Sequence, residues 1–360
     1  MPMSREGKLR FWLIGLAVFL LLLYLLRSIL LPFVAGMAIA YFLDPVAFRL
    51  ERTGLSRTMA TVVIEFAFFL VVGLTIFLLA PVVEDQVVRF AQKVPSYAQQ
   101  LMHRGEPLWR NAKAYLSARD IDRLRAAAGD YAGTVVSWLG TFFTHLLTGS
   151  LAVVNLLSLI FITPVVTFYM LRDWHGMTER IDSWLPRHQA DIIRRQLAEI
   201  DIILSGFVRG QALVCLSLGI FYAVGLTSVG LDLGLVVGFA AGLISFIPYL
   251  GTSSGFVVGI GLALAQSQDW TLVAMVAGVF LVGNLIEGNV LAPKLVGEKI
   301  GLHPVWVIFA LLAGAALFGF LGVLLALPVA AVVGVLARFA LSRYMASSLY
   351  SGDTPEGTAP

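Results

Sequence analysis

Residues 233–266 read LGLVVGFAAGLISFIPYLGTSSGFVVGIGLALAQ, and the fold turns on how this stretch meets a membrane. At 1.5 Å per residue, 233–247 make about 22 Å of helix and 251–266 about 24 Å; both fall short of the roughly 30 Å hydrocarbon core. Between them lies Ser245-Phe246-Ile247-Pro248-Tyr249-Leu250-Gly251-Thr252-Ser253-Ser254-Gly255. Pro248 removes a helical donor and Gly251 permits a turn. Non-helical backbone at that depth persists only where protein or a watery cavity satisfies it. Paired short segments interrupted by Gly or Pro point to a binding site near mid-membrane.

Small residues flank the break at helical spacing, as Gly234, Gly238 and Gly242 before it and Gly251, Gly255 and Gly259 after it. Such stripes let helix backbones approach closely, and packing is their expected role. A second long apolar stretch, 304–337, breaks at Phe318-Gly319-Phe320-Leu321-Gly322, and its first half is also short. Each stretch is expected to form a hairpin, one that crosses twice or one that enters and leaves on the same side. Single crossings are expected at roughly 11–31, 32–48, 60–83, 148–171, 206–229 and 271–290.

Composition points the same way. The chain has 360 residues, of which 59% are hydrophobic and 13% charged, against about 25% charged in ordinary soluble domains. A soluble domain must keep a largely polar surface and could not hide so much apolar side chain. A soluble enzyme, a nucleic-acid-binding domain and a disordered protein are thereby excluded. The fold class is an all-α polytopic membrane protein of about eight transmembrane helices, including two short helical hairpins. The net charge of +3 says little about partners, and the single cysteine, Cys215, rules out a disulfide framework and a thiolate metal site.

Residues 84–147 differ from the rest. Arg89, Lys93, Arg104, Arg110, Lys113, Arg119, Arg123 and Arg125 stand there among acidic residues, with Leu101, Leu108 and Tyr115 at helical spacing. This reads as an amphipathic helical arm outside the bilayer core, lying on the membrane, packing on a neighbouring subunit or simply solvated. The expected organisation is three transmembrane helices in 1–83, the arm in 84–147, a transport core in 148–346 and a disordered tail in 347–360. Basic residues set the orientation. Arg5, Lys8 and Arg10 place the N-terminus in the cytoplasm, and Arg49, Arg52, Arg57, the arginines of 172–195, Lys294, Lys299, Arg338 and Arg343 all fall inside. The arm is then on the outer side and both termini are cytoplasmic.

No HExxH, GxSxG or Walker A pattern occurs, and the histidines are scattered, so no catalysis, cofactor or metal is expected. An ionisable group inside an apolar run is a functional candidate. Glu287 stands out, in Gly283-Asn284-Leu285-Ile286-Glu287-Gly288-Asn289. A carboxylate with amide neighbours can hold a cation or a proton, and burial favours its neutral form. Alternatively Glu287 snorkels to the cytoplasmic surface or pairs with Lys294. Glu65 is expected to pair with Arg57 or Arg49, Asp44 to end a helix or pair with Arg49, Arg27 to reach the outer headgroups, and Asp232 to be solvated. Asn284, Asn289, Ser245, Thr252, Ser253 and Ser254 offer hydrogen-bonding groups for a small polar solute.

From Ile286 the residues IEGNVLAPKLVGEKIGLHPVWVIFALLAGAALFGFLGVLLALPVAAVV resemble the C-terminal signature of the autoinducer-2 exporter family, the PerM-like permeases of bacteria. Glu287, Asn289 and Pro293 match its E-x-N-x-x-x-P pattern. Gly297 and Leu302-His303-Pro304 match its next steps, and Phe318-Gly319, Gly322 and Pro328 its F-G-x-x-G and following proline. Residues 31–45, LPFVAGMAIAYFLDP, are similar to the family's second helix, and 244–251, ISFIPYLG, to its Pro-x-x-Gly break. The family usually has Pro after that break, where this chain has Thr252. The resemblance covers most of the chain and implies a membrane transporter. Family members are described as exporters of the signal autoinducer-2 or as sodium(lithium)/proton antiporters.

The expected protein is therefore a secondary transporter of the bacterial inner membrane, exporting a small polar solute with the help of an ion gradient. An antiporter of sodium or lithium against protons is the alternative within that class, and a non-transporting oligomeric scaffold the alternative outside it. Glu287, Asn284, Asn289, Ser245, Thr252 and Ser253 are the expected transport residues, and Pro248, Gly251, Gly319, Gly322 and Pro293 the expected hinges or helix breaks. The expected partners are lipid, the solute or a monovalent cation and proton, and further copies of the chain, but not nucleic acid.

Overall fold

A computed structural model describes residues 14–112, 150–296 and 303–347 together with Tyr350, apart from 16, 20, 28, 249 and 268. The second part of the expected arm, Gly297 and Leu302 of the family pattern, and nearly all of the tail lie outside these residues. Every regular element among the described residues is helical. In chain order they are α1 (Leu30–Arg52), α2 (Arg57–Ala112), α3 (Ser150–Ser183), α4 (Ala190–Ser228), α5 (Gly234–Ile244), α6 (Leu250–Gln266) and α7 (Trp270–Ile286). A π-helical segment (Glu287–Val296), α8 (Pro304–Phe318) and α9 (Phe320–Met345) follow.

Five helices among the described residues are long and apolar enough to cross a membrane: Leu30–Arg52, Arg57–Phe90, Ala190–Ser228, Trp270–Leu295 and Phe320–Met345. Helices α5, α6 and α8 have 11, 17 and 15 residues, about 16, 26 and 22 Å. Helix α9 has 26 residues, about 39 Å. The stretch at 304–337 is thus a short first helix, as expected, followed by one of full spanning length, where a short helical hairpin is expected as a whole. Helix α2 does not stop where its polarity changes at Glu84 but runs on to Ala112.

The chain divides into two compact units. The first comprises residues 1–64, 162–210 and 296–360. Here α1 buries Pro32, Gly36, Ala40, Leu43 and Ala47 along one face. A Cβ on Gly36 would lie 2.7 Å from Val166 Cγ1, so α1 and α3 meet where α1 has no side chain. The Thr167 hydroxyl donates to the carbonyls of Thr163 at 2.8 Å and Gly36 at 3.3 Å across that contact. Arg57 donates to Asp44 at 2.7 Å, to Glu51 at 3.3 Å and to the Leu171 carbonyl at 2.8 and 3.0 Å. Asp44 therefore pairs with Arg57, not with Arg49, because the turn after α1 brings the first residue of α2 back against it. Arg194 grips Asp182 with two bonds of 2.6 and 2.8 Å and holds its carboxyl below the usual carboxylate range. Gly319, at φ 61°, links α8 to α9, and the backbones of Gly314 and Gly322 touch across that turn. Arg27 lies over the Tyr24 ring at 4.6 Å and donates to the Leu317 carbonyl at 3.3 Å. It satisfies a carbonyl at a helix end, which headgroup contact alone would not do.

The second unit comprises residues 65–161 and 211–295. Gly234, Gly238 and Gly242 of α5 lie directly on the backbone of α4 at Leu226–Thr227, Tyr222–Ala223 and Leu218–Gly219. Gly251 is pressed on Ser245, Gly255 on Ala241 and Phe280, and Gly259 on Phe280 and Val276. The core they enclose holds Leu218, Tyr222, Leu226, Val276 and Phe280, all buried, with the Tyr222 and Phe280 rings 4.9 Å apart. Both glycine stripes thus serve close packing. At one end, Asp232 accepts from Lys93 at 2.7 Å and from the Tyr97 hydroxyl, and its amide donates to Gln266 at 2.8 Å. Asp232 is held by α2 and α6 and is not the solvated residue the sequence suggests, because α2 extends far enough to reach it. Burial and this bond to Asp232 push the Tyr97 hydroxyl's pKa above its ordinary value.

Glycine substitutions separate the two kinds of site. Gly242→Ala places a methyl group inside the α4 backbone contact and is expected to destabilise the protein by about 1–3 kcal/mol. Gly261→Ala meets open space and should be neutral or stabilise by up to about 1 kcal/mol. Thermal unfolding in detergent of both variants beside the wild type checks this ordering.

Candidate functional site

Helix α5 does not simply end at Ser245; it tightens into a turn. The amides of Ser245, Phe246, Ile247 and Leu250 donate to the carbonyls of Ala241, Leu243, Ile244 and Ile247 at 3.0, 3.2, 2.9 and 3.2 Å. The carbonyls of Ser245 and Phe246 then point away from the helix, and one side chain takes both. Gln211 of α4, buried, donates its amide to Ser245 O at 2.8 Å and to Phe246 O at 3.4 Å. The Ser245 hydroxyl, also buried, turns back to Ala241 O at 2.9 Å. The break at Pro248 is thereby satisfied from within the protein, as apolar surroundings require. Gly251 restarts the chain as α6 directly against Ser245, where a Cβ would collide with the Ser245 backbone and hydroxyl.

One turn into the new helix, Thr252 faces the end of α7. Its hydroxyl donates to Glu287 Oε2 at 2.9 Å, and the Tyr222 hydroxyl lies 3.4 Å from the same threonine oxygen. Thr252 has one proton to give; giving it to Glu287 leaves its oxygen to accept from Tyr222. Tyr222, Thr252 and Glu287 form a chain of oxygens drawn from α4, α6 and the first residue of the π-helical segment. Glu287 is half-buried, and no cation lies within ion-pair distance of it among the described residues, Lys294 included. The expected alternative of a pair with Lys294 is not what the structure shows.

Glu287 is also where α7 passes into the ten-residue π-helical segment that contains Pro293. Proline has no amide for the carbonyl four residues back, and its ring crowds that carbonyl. A widened turn relieves the conflict, and such turns gather at functional positions.

The other expected site residues are not brought together. Asn284 and Asn289 are exposed, and the Asn289 amide bonds Leu285 O of its own helix at 2.9 Å. Ser253 is exposed, and Ser254 bonds Gly251 O at 3.1 Å. Gly319 and Gly322 belong to the first unit, and Tyr222, Thr252 and Glu287 to the second. Sequence reading missed Gln211 and Tyr222. Both are visible as polar groups within the apolar run 206–229, but their partners are 30 to 35 residues away. Glu65 is buried and carries no ion pair among the described residues, with neither Arg57 nor Arg49, its two expected partners; Arg57 is engaged by Asp44, Glu51 and the Leu171 carbonyl.

Helices long and apolar enough to cross a bilayer, with an acid that has no cation partner among the described residues beside a satisfied helix break, are those of a multi-pass membrane protein. Residues 13–341 match the AI-2E family transporter family, and the chain belongs to that family. YrrI of Bacillus subtilis (strain 168), whose name marks it as a candidate transport protein, is 29% identical over 323 residues, covering 86% of both chains. YueF of the same organism, named likewise, is 25% identical over 91% of this chain and 92% of its own. PerM of Escherichia coli (strain K12), named as a candidate permease, is 25% identical over 87% of both.

Removing the Thr252 hydroxyl tests the constellation's contribution to the fold. Thr252→Val should lower unfolding stability in mixed micelles by about 1 kcal/mol, whereas Ser253→Ala should leave it unchanged. Equal effects would show that the bond to Glu287 is not formed.

Proposed function

We propose that the protein is an ion-coupled secondary transporter that exports a small polar solute, of the class the autoinducer-2 signal represents, across the bacterial inner membrane. The observation that carries this reading is the 2.9 Å bond from Thr252 to Glu287 beside the break. A carboxylate inside a membrane segment with no cation partner is costly unless a proton or a bound cation neutralises it. Glu287 is the coupling group, protonated in one state of the cycle and ionised in the other. The Thr252 and Tyr222 hydroxyls relay or stabilise the proton. The Pro248–Gly251 turn, the π-helical segment with Pro293 and the Gly319–Gly322 turn are the places where the helices bend during transport. The arm beginning at Glu84 lies on the outer side, both termini are cytoplasmic, and copies of the chain assemble in the bilayer.

A second reading is sodium(lithium)/proton antiport. It is favoured by one feature: the carboxylate and two hydroxyls are all oxygen donors, the ligand type a small hard cation takes.

The test uses purified protein in liposomes with an internal pH probe. Autoinducer-2, sodium or lithium is added outside to wild type and to Glu287→Gln. The expected result is proton movement driven by autoinducer-2, reduced about ten-fold or more in the variant, equivalent to about 1.4 kcal/mol. Movement driven by sodium or lithium alone, and lost in the variant, would move the assignment to antiport. The same flux in wild type and variant would remove Glu287 from the mechanism.

A further inference from the structure

The first unit contains a cavity of about 70 Å³ whose polar lining none of the preceding features explains. It lies among α1, α3 and α4. Tyr41 and Asp44 come from α1, Trp174 from α3, and Asp201, Ser205 and Arg209 from α4. The three α4 residues are spaced four apart and so share one helix face, spread over about 12 Å of its axis. Two of them carry opposite charge, yet neither neutralises the other.

Arg209 donates its Nε to the backbone carbonyl of Tyr41 at 3.0 Å. No acceptor among the described residues takes its two terminal nitrogens, and no carboxylate lies within ion-pair distance. Asp201 accepts the Tyr41 hydroxyl at 3.0 Å and has no cation partner among the described residues. Asp44 is different, because Arg57 holds it at 2.7 Å. The cavity therefore presents a guanidinium fork whose terminal nitrogens have no acceptor among the described residues, one carboxylate with spare acceptor capacity, and the Ser205 oxygen, whose proton goes to Ile202 O at 3.3 Å. The Tyr41 and Trp174 rings, edge to face with centroids 5.7 Å apart, supply an aromatic wall.

Each feature selects a ligand group. A guanidinium with two free terminal nitrogens binds a carboxylate or phosphate through two parallel bonds. A carboxylate beside aromatic rings suits an ammonium, which gains from the charge and from the ring faces. A neutral molecule would leave both charges unmatched, and a simple anion or cation would match one and meet repulsion from the other.

We propose that this cavity is a binding site for a small zwitterion, a molecule carrying an ammonium and an anionic oxygen group. It lies in the unit that does not contain Glu287, and its existence does not depend on the transport reading. The same chemistry occurs in a free amino-acid-like solute and in the headgroup of an ethanolamine phospholipid.

Delipidated full-length protein in detergent tests the proposal through thermal stabilisation by β-alanine and by phosphoethanolamine, with glycerol and acetate as controls. A parallel arm adds an ethanolamine phospholipid or a glycerol phospholipid to the micelles. Wild type should be stabilised by the zwitterions and not by glycerol, with the apparent affinity falling at least about ten-fold, or 1.4 kcal/mol, in Arg209→Gln and in Asp201→Asn. Asp201 is exposed, and asparagine still accepts the Tyr41 hydroxyl, so this variant keeps its fold. Arg209→Lys keeps the charge and should retain part of the binding. Stabilisation by the ethanolamine lipid alone, lost in the same variants, would support the proposal and assign the site to lipid. No zwitterion-specific stabilisation in either arm, or stabilisation unchanged in both Arg209→Gln and Asp201→Asn, would overturn it.

Discussion

The turn between α5 and α6 cannot borrow hydrogen bonds from hydrocarbon, and the second unit is organised around that constraint. Inside a bilayer each unsatisfied backbone group costs several kcal/mol. The amides of the turn close on carbonyls three or four residues back, and Gln211 takes the carbonyls of Ser245 and Phe246. Gln211 reaches them only if α4 and α5 approach to backbone contact, which Gly234, Gly238 and Gly242 allow. Gly251 lets the returning helix start against Ser245, and Gly255, Gly259 and Gly283 make room for Phe280 and Tyr222. Once those contacts are made, Thr252 stands opposite Glu287.

The first unit solves a different problem with different groups. Its helices are fastened by charge and hydroxyl bonds to backbone, as in Arg57 to Leu171 O, Arg209 to Tyr41 O and Thr167 to Gly36 O. Arginine suits this, since its fixed fork can serve a carboxylate and a carbonyl together. Membership of the AI-2E family transporter family gives the chain its class, while the division of labour between the units is a matter of these local chemistries.

Much of this was legible in the sequence, and what was not has a common cause. Spans 32–48, 60–83, 206–229 and 271–290 follow from hydropathy because a bilayer sets helix length directly. Pro248 announced the break, and Glu287 announced itself by its charge. Gln211 and Tyr222 did not, because what distinguishes them is a partner 30 to 35 residues distant. Asn284 and Asn289 looked like site residues because they are neighbours of Glu287 in sequence. Asn284, three residues before Glu287, does share its helix face, but its side chain is exposed, and Asn289 turns its amide back to Leu285 O of its own helix. Asp44 and Asp232 were assigned the nearest solution, a sequence neighbour or solvent, when residues returning from Arg57, Lys93 and Tyr97 hold them.

The claim on which the account rests is that Gln211 seals the turn. Hydrogen–deuterium exchange of the protein in lipid nanodiscs measures it directly at the amides of Ser245, Phe246, Ile247 and Leu250, in wild type and in Gln211→Leu. Those amides should exchange as slowly as the flanking helices in wild type. In the variant they should exchange at least about ten-fold faster, equivalent to about 1.4 kcal/mol of lost protection, with α7 unchanged. Fast exchange at the turn in wild type, or equal rates in both proteins, would contradict the account.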